Sequence, residues 1–462
     1  MSLGRSHRPV VDPGACQVCG ACARGCPAEV LPELRGEQDT LRGALYTKTP
    51  LAATERLPPC RAACPLGQDV RGYVGHLARG RWKEALLTIR RDNALPSVCG
   101  TLCHHPCQGE CLRGAVDSPV AIRRLKLLAV RYEREHGQDV VAALAARKAP
   151  ANGLRVAVVG SGPAGLAAAY DLVLGGCRVE VLEGGDEPGG LLSQAIPDFR
   201  FPREVLAHEL SFLARLGISV ETRSRVADPA ALAALLARHD AVILAFGAGS
   251  GVPLGIPGWE GEGCLDALSY LRGVRRGQAP SLEGPVVVVG GGNVALDAAR
   301  AARRAGAARV TVAYRRGRSE MPAAPEEVAE AEAEGIRFIF RVLPAVVERS
   351  EEGPAVLRCV ETGPGAADAD GRAGVVVTDR QVLFEARWVL AGVGQTPEHP
   401  CLPAEALHGD GRLRLDGSGQ VAGRRGLFGA GDAVSGPSYV VAAMASGRAA
   451  ARGVLAHLGE AP

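Results

Sequence analysis

Cys16, Cys19, Cys22 and Cys26-Pro27 stand at the spacing C-x2-C-x2-C-x3-C-P. Thiolates spaced in this way grip three corners of a cuboidal iron–sulfur cluster, and the fourth commonly reaches a neighbouring cluster. Structural zinc is the competing reading, but it favours paired C-x2-C knuckles over a run of four. A second group begins with Cys60-x3-Cys64-Pro65, the tail of such a run, and continues with Cys99, Cys103, Cys107 and Cys111 at a regular four-residue interval. On a single helix that interval would stack the thiols on one face, whereas Gly100, Pro106 and Gly109 point to a winding loop. These cysteines are the candidate metal ligands and supply one or two 4Fe-4S clusters. His104 and His105 could serve as ligands but read first as surface or hydrogen-bonding residues, and Cys177, Cys264, Cys359 and Cys401 as packing residues.

A different chemistry is written further along. Gly160-Ser161-Gly162-Pro163-Ala164-Gly165 follows an apolar run and opens a helical one, the context in which G-x-G-x-x-G binds a dinucleotide. The first glycine permits the tight turn, the second lets the pyrophosphate reach the backbone, and the helix N-terminus offers its positive dipole to the phosphates. Glu183 stands 23 residues beyond Gly160, where a carboxylate can accept hydrogen bonds from a ribose. Gly189-Gly190-Leu191-Leu192 offers another loop of close approach. The pattern returns as Gly290-Gly291-Gly292-Asn293-Val294-Ala295, but the same 23-residue count now reaches Ala313, followed by Tyr314-Arg315-Arg316. Loss of the acid and gain of two guanidiniums favour a 2′-phosphate, and so NADPH before NADH.

Elements must hold these residues in place. Arg155 to Gly160 reads as a strand, Ala164 to Leu174 as a helix and Arg178 to Glu183 as the next strand. The grammar repeats at Pro285 to Gly290, Val294 to Ala305 and Arg309 to Tyr314, the βαβ signature of parallel sheets. A strand, turn and helix over Gly426 to Arg452 close the chain. Upstream, Ser118 and Pro119 predict the start of a helix carrying Val120, Ile122, Leu125, Leu128 and Ala129 on one face. A polar stretch from Glu133 to Asn152 reads as the linker to the next region. The chain of 462 residues is too long for one core. Its expected class is α/β, with two Rossmann-like nucleotide-binding domains preceded by a mainly helical, cysteine-rich iron–sulfur domain. The expected divisions are a ferredoxin-like segment 1–45, a helical iron–sulfur domain 46–150, a first nucleotide-binding domain 151–250 with 385–462, and a second, for NAD(P)H, 251–384.

A net charge of +3 gives no cause to expect nucleic acid or an anionic membrane as partner. No apolar run approaches the roughly 20 residues of a membrane span, and the basic N-terminus lacks an apolar signal core. The expected location is the cytoplasm, where thiolate-held clusters are protected.

From about Pro59 onward the chain resembles the small, NADPH-oxidising subunit of bacterial glutamate synthase and the matching N-terminal part of dihydropyrimidine dehydrogenase. The matching pieces are Cys60 to Pro65, Cys99 to Cys111, Gly160 to Gly165, Gly189 to Leu192 with Ile196-Pro197, Gly290 to Asp297, Tyr314 to Arg316 with Glu320-Met321-Pro322, and Gly429-Ala430-Gly431-Asp432. The resemblance implies FAD in the first fold and NAD(P)H in the second. By the same resemblance Asp432, beside Gly431, contacts the ribityl or phosphate region of FAD, Glu183 holds the adenosine ribose, Tyr314 to Arg316 read the nicotinamide nucleotide, and Cys60, Cys64, Cys103, Cys107 and Cys111 ligate clusters. Three departures stand out. The usual C-x2-C ahead of Cys60 is missing, which leaves the Cys16 to Cys26 run to supply ligands. Lys126 occupies the place of a glutamine ligand, for which Cys99 could substitute, and Ala245-Phe246-Gly247 replaces the usual A-T-G.

The reading that follows is an electron-transfer oxidoreductase subunit, passing electrons between NAD(P)H, FAD and 4Fe-4S clusters, to or from a partner oxidoreductase or ferredoxin in a hetero-oligomer. The small subunit of glutamate synthase is the alternative, and a non-enzymatic wiring subunit a third reading. No catalytic acid, base or nucleophile is expected. A disulfide reductase would need a cysteine pair inside a nucleotide fold, and every pair here lies upstream of both fingerprints. The alternating Ala and Glu of Glu326 to Glu334 predict a solvated helix face.

Overall fold

The computed structural model describes residues 57–136, 140–349, 355–367 and 373–459, together with two short paired strands at Ser2–Leu3 and Pro9–Val10. The run Cys16, Cys19, Cys22 and Cys26 lies outside the described residues. The chain forms two compact units, Met1–Arg147 and Lys148–Pro462.

The described part of the first unit is built of short helices, among them Val70–Leu77, Trp82–Asp92, Pro96–Leu102, Pro106–Gly109 and Ile122–His136. Prolines at their first positions and the Asp69 carboxylate, which accepts the Gly72 N–H at 3.0 Å, start them. Their core holds polar pins as well as apolar side chains. The buried Tyr73 hydroxyl donates to the Ile122 carbonyl at 3.0 Å, and the fully buried Arg90 pairs with Glu133 at 2.7 Å.

Three expectations fail here for local reasons. The last long helix starts at Ile122, not at Pro119. The Ser118 and Val120 N–H groups are spent on Asp117 Oδ1 (2.5 Å) and Cys111 Sγ (3.4 Å), so the chain runs extended past the thiol first. Nor is Glu133 the start of a linker, since its ion pair with Arg90 holds the helix end inside the unit. The four-residue cysteine interval is also neither a single helix nor a plain loop. Cys99 lies inside Pro96–Leu102, Cys103 caps it, and Cys107 sits in the turn Pro106–Gly109. His105 breaks the path between them in left-handed backbone, φ 45°.

The second unit carries two parallel five-stranded sheets. In the first the order is Leu427–Gly429, Ala241–Leu244, Arg155–Val159, Arg178–Leu182, Val220–Glu221. In the second it is Arg337–Phe340, Arg309–Tyr314, Pro285–Val289, Trp388–Ala391, Cys264–Asp266. The central strand Pro285–Val289 reads as an unbroken apolar run because both its faces are buried, Val286 and Val288 against helices and Val287 and Val289 against residues such as Val342 and Leu357. The helices Pro163–Leu174 and Asn293–Arg304 follow the two glycine loops. The chain passes between the sheets twice, and the passages pair as the antiparallel strands Ser250–Gly251 and Gln395–Thr396. An antiparallel sheet, Val342–Glu348, Val356–Ala367 and Ala373–Glu385, is an addition that the βαβ grammar did not announce.

The acidic helix Pro325–Ala333 is more than a solvated face. Glu327 and Glu330, with Glu334 just beyond its end, converge on the buried Arg300 guanidinium at 3.1, 3.0 and 2.7 Å.

Candidate functional site

At the carboxyl end of the first sheet a cavity of about 1050 Å³ opens, lined by Gly160, Gly162, Pro163, Ala164, Glu183, Gly190, Leu191, Gly431 and Asp432 among others. The glycines of the first fingerprint divide the labour. Gly160 has φ 109°, and a Cβ there would overlap the Ala245 carbonyl oxygen, so only glycine fits the turn. A Cβ on Gly165 would overlap the Gly160 carbonyl oxygen, so this glycine serves the packing of helix on loop. Gly162 is different, since a Cβ there would meet no protein atom within 4 Å. The space in front of Gly162 is what a pyrophosphate drawn to the helix N-terminus requires.

Glu183 fixes this loop. Its buried carboxylate accepts the Ser161 N–H (3.1 Å) and O–H (2.5 Å) on Oε2 and the Gly185 N–H (2.8 Å) on Oε1. A carboxylate has about four acceptor sites, so capacity remains for ribose hydroxyls at the cavity wall. Ser161, which sequence reading passed over as the variable letter of the motif, also accepts the Gly189 N–H at 3.0 Å and so ties the two glycine loops together. Opposite, burial pushes the Asp432 carboxyl up to about 6, although Ser438 donates to it at 2.6 Å.

The second fingerprint has the same division. Gly290 turns at φ 136° against the Gly392 carbonyl, while a Cβ on Gly292 would meet nothing within 4 Å. Asn293 opens the helix, and its buried Oδ1 has no hydrogen-bond partner within the protein. An open glycine beside an orphaned polar atom suits a second nucleotide. Arg315 and Arg316 follow the strand Arg309–Tyr314 at the same edge, Arg315 exposed to solvent.

The segment after Gly190 belongs to both sheets. Leu191 lines the first cavity, and Ala195 is buried in the core beneath the second sheet, with Leu191 and Phe199 packed against that core. Arg200 then reaches Asp297, one turn into the helix after Gly292, at 2.6 Å, with Glu327 at 3.4 Å. Burial pushes the Asp297 carboxyl up to about 6 against the pull of Arg200. Removing one partner of such a buried pair leaves the other uncompensated. Arg200→Met is therefore expected to cost about 3 kcal/mol, and adding Asp297→Leu to recover much of it. Urea unfolding of the flavin-loaded chain and its two variants measures both values; an Arg200→Met midpoint equal to wild type would show the pair to be idle.

In the first unit Cys64, Cys99, Cys103 and Cys107 are buried, and Cys60 and Cys111 half-buried. Gly100 lies against Leu127, a Cβ there meeting the Leu127 Cβ at 3.0 Å, so the helices carrying Cys99 and Lys126 cross closely. Burial pushes the Cys99 and Cys107 thiols up to about 12 and raises Cys60 and Cys103, while the buried Lys126 pulls Cys99, Cys103 and Cys107 back. The same electrostatics couple Cys64 to Cys99, Cys103 and Cys107, and Cys60 to Cys111. Backbone N–H groups of His105 and Val120 donate to Cys103 and Cys111 at 3.3 and 3.4 Å, the bonds that cluster thiolates use. Among the described residues no three His, Cys, Asp or Glu side chains are placed to hold a single metal ion. Six thiols gathered in one helical unit, with amide donors and a buried ammonium, have the chemistry of a cluster's donor set.

Residues 154–447 match the pyridine nucleotide-disulphide oxidoreductases, and residues 54–138 match the 4Fe-4S domain II of dihydropyrimidine dehydrogenase. The beta subunit of an NADP(+)-dependent formate dehydrogenase from Moorella thermoacetica is 36% identical over 416 residues, 85% of this chain and 59% of that one. The beta subunit of the NADPH-Fe(3+) oxidoreductase from Geobacter sulfurreducens is 35% identical over 425 residues, covering 85% and 62%. The chain thus spans about 60% of the length of these relatives. The small chain of NADPH glutamate synthase from Azospirillum brasilense is 31% identical over 424 residues, 87% of this chain and 86% of that one. FprA from Mycobacterium tuberculosis in complex with NADPH shares the fold, with a TM-score of 0.57 over 67% of this chain and 85% of that one at 19% identity. FAD and NAD(P)H are the cofactors of the second unit and a 4Fe-4S cluster that of the first. The chain belongs to the pyridine nucleotide-disulphide oxidoreductases, among those that resemble the glutamate synthase small chain and carry a 4Fe-4S domain.

Proposed function

We propose that this chain is an electron-transfer subunit linking NADPH, FAD and iron–sulfur clusters to a partner oxidoreductase subunit or a ferredoxin. The observation that carries the reading is the pair of open glycines, Gly162 and Gly292, each at the head of its own parallel sheet within one unit. When bound, FAD supplies the conversion between two-electron nicotinamide chemistry and one-electron iron–sulfur chemistry. The protein's part is to bind and orient. Glu183 sets the first loop and the ribose end, Leu191 and its neighbours close the wall between the two sheets to water, and Asn293 and Arg315 with Arg316 receive the second nucleotide. NADPH is preferred because the strand before Arg315 ends without an acid. The thiols Cys60, Cys64, Cys103, Cys107 and Cys111, with Cys99 in reserve beside Lys126, hold the cluster of the first unit, and Cys16, Cys19, Cys22 and Cys26 a further one. Cytoplasmic placement completes the reading. No described helix is long and apolar enough to cross a membrane.

Asp432 makes the flavin site pH-dependent. Its carboxyl keeps its proton up to about 6 in the free site, whereas ribityl hydroxyls donate to the ionised form. Binding therefore releases a proton below that pH, so FAD affinity rises with pH, by up to about tenfold per unit, and levels off above about 6. Reconstitution of the deflavinated chain at several pH values tests this; Asp432→Asn should flatten the profile, and an unchanged slope in that variant would remove Asp432 from the site.

The partner is proposed from the relatives, which are named as subunits of formate dehydrogenase, NADPH-Fe(3+) oxidoreductase and glutamate synthase. Service to a glutamate synthase is the second reading, favoured by the 86% coverage of that small chain. Anaerobic purification of the tagged chain from its own cells, followed by identification of the chain that comes with it, decides between them. Recovery of a stoichiometric oxidoreductase subunit supports the first reading, recovery of a glutamate synthase large chain the second, and a lone monomer that exchanges no electrons with ferredoxin contradicts both.

A further inference from the structure

Arg341 stands next to the proposed nucleotide edge by topology, not by sequence. The strands Arg309–Tyr314 and Arg337–Phe340 are parallel neighbours, with Tyr314 opposite Phe340. The residues that follow, Arg315 and Arg341, therefore leave the sheet side by side at its carboxyl end, where ligands of open α/β sheets bind. Both are exposed, and neither makes an ion pair among the described residues. Other arginines of this part of the chain are committed elsewhere, Arg318 to Glu332 and Arg358 to Glu348. Glu320, whose carboxylate stands beside Gly317 as the Arg341 guanidinium does, accepts the Gly317 N–H at 2.8 Å.

The backbone is built to keep Arg341 there. Its φ of 60° lies in the left-handed region, which costs a residue with a side chain about 1–2 kcal/mol. The Arg341 N–H donates to the Arg316 carbonyl at 3.1 Å, and the Arg341 carbonyl accepts the Thr362 N–H at 2.8 Å. The buried Thr362 hydroxyl donates to the Arg315 carbonyl at 2.7 Å, so one residue of the antiparallel sheet fixes both arginine backbones. The guanidinium itself lies over Gly317, its Nη2 3.6 Å from where a Cβ would stand.

We infer that Arg341 is a specificity-determining residue, a third guanidinium that reads the 2′-phosphate of the nicotinamide nucleotide together with Arg315 and Arg316. The inference rests on the NADPH reading above and adds to it a residue 25 positions beyond Arg316 in the chain. Guanidinium pairs with phosphate oxygens through charge-assisted hydrogen bonds, and the unstrained alternative at a φ of 60° is glycine. Arg341→Gly is thus the informative variant, because it removes the charge and relieves the backbone.

The test uses the flavin-loaded full chain and calorimetric titration with two probes, 2′-phospho-ADP-ribose and ADP-ribose. In Arg341→Gly the affinity for the phosphorylated probe should fall by about tenfold, with that for ADP-ribose changed less than about twofold and the melting temperature not lowered. Arg341→Lys should restore part of the loss, which a merely structural role would not do. If Arg315→Gln weakens the phosphorylated probe and Arg341→Gly does not, the role of Arg341 is refuted and the NADPH reading stands. If the wild-type chain binds both probes equally, the NADPH reading falls and this inference with it.

Discussion

Gly162→Ala yields a folded protein that lacks flavin. The backbone at Gly162, φ −66° and ψ 178°, is one that alanine adopts freely, and its Cβ would meet no protein atom within 4 Å. Removing a glycine at a compatible position stabilises by about 0.4–1 kcal/mol through the unfolded chain. The added methyl points into the space that the FAD pyrophosphate needs, and close approach of phosphate to backbone N–H is the purpose of that glycine. FAD affinity should fall on the order of 100-fold or more, about 2.7 kcal/mol. Flavin content after purification and the melting temperature of the second unit are the two readouts. A stable variant that still carries stoichiometric FAD would show that the pyrophosphate lies elsewhere. Gly165→Ala makes the contrast, because its Cβ would overlap the Gly160 carbonyl and should cost the fold as well as the flavin.

Gly292→Ala separates the second nucleotide from the first. Its backbone, φ −93° and ψ 175°, also accepts alanine, and its Cβ too would meet nothing within 4 Å. The variant should keep its full flavin content, because the first cavity is lined without Gly292. Its affinity for NADP(H) should drop on the order of 100-fold, by the same closure of the pyrophosphate path. Retained flavin with undiminished NADPH binding would contradict the assignment of the second loop. Parallel loss of both cofactors would mean that the two sheets do not bind them separately.

What the sequence could disclose follows from how local each cause is. The glycine loops, the strands and the helices behind them were legible within a residue or so, as at Arg309–Tyr314, because a turn that excludes Cβ and a buried apolar run each act over a few residues. Causes that act across the fold were not. Arg200 and Asp297 lie 97 residues apart and meet only because the segment after Gly190 crosses to the second sheet. Ser161 looked like filler until the Glu183 carboxylate and the Gly189 N–H came to bear on it. Glu327, Glu330 and Glu334 alternate with alanine as on a solvated face, and what changes their role is Arg300, buried on another helix. The helix predicted from Pro119 begins three residues later, and the Val120 N–H ahead of it donates to a thiol of the cysteine group that lies nine residues back in the chain. The positive φ of Arg341 has no signal in sequence, where glycine or asparagine would have marked it.

Anaerobic titration of the purified chain with NADPH, followed by visible absorption and low-temperature EPR on the same sample, bears most directly on the proposal that this chain wires a nicotinamide nucleotide through flavin to iron. The account predicts that the yellow flavin band bleaches on addition of NADPH and that a reduced iron–sulfur signal then appears without any other reductant. A chain that holds both flavin and labile sulfide, yet stays oxidised under excess NADPH while dithionite reduces it fully, would contradict it.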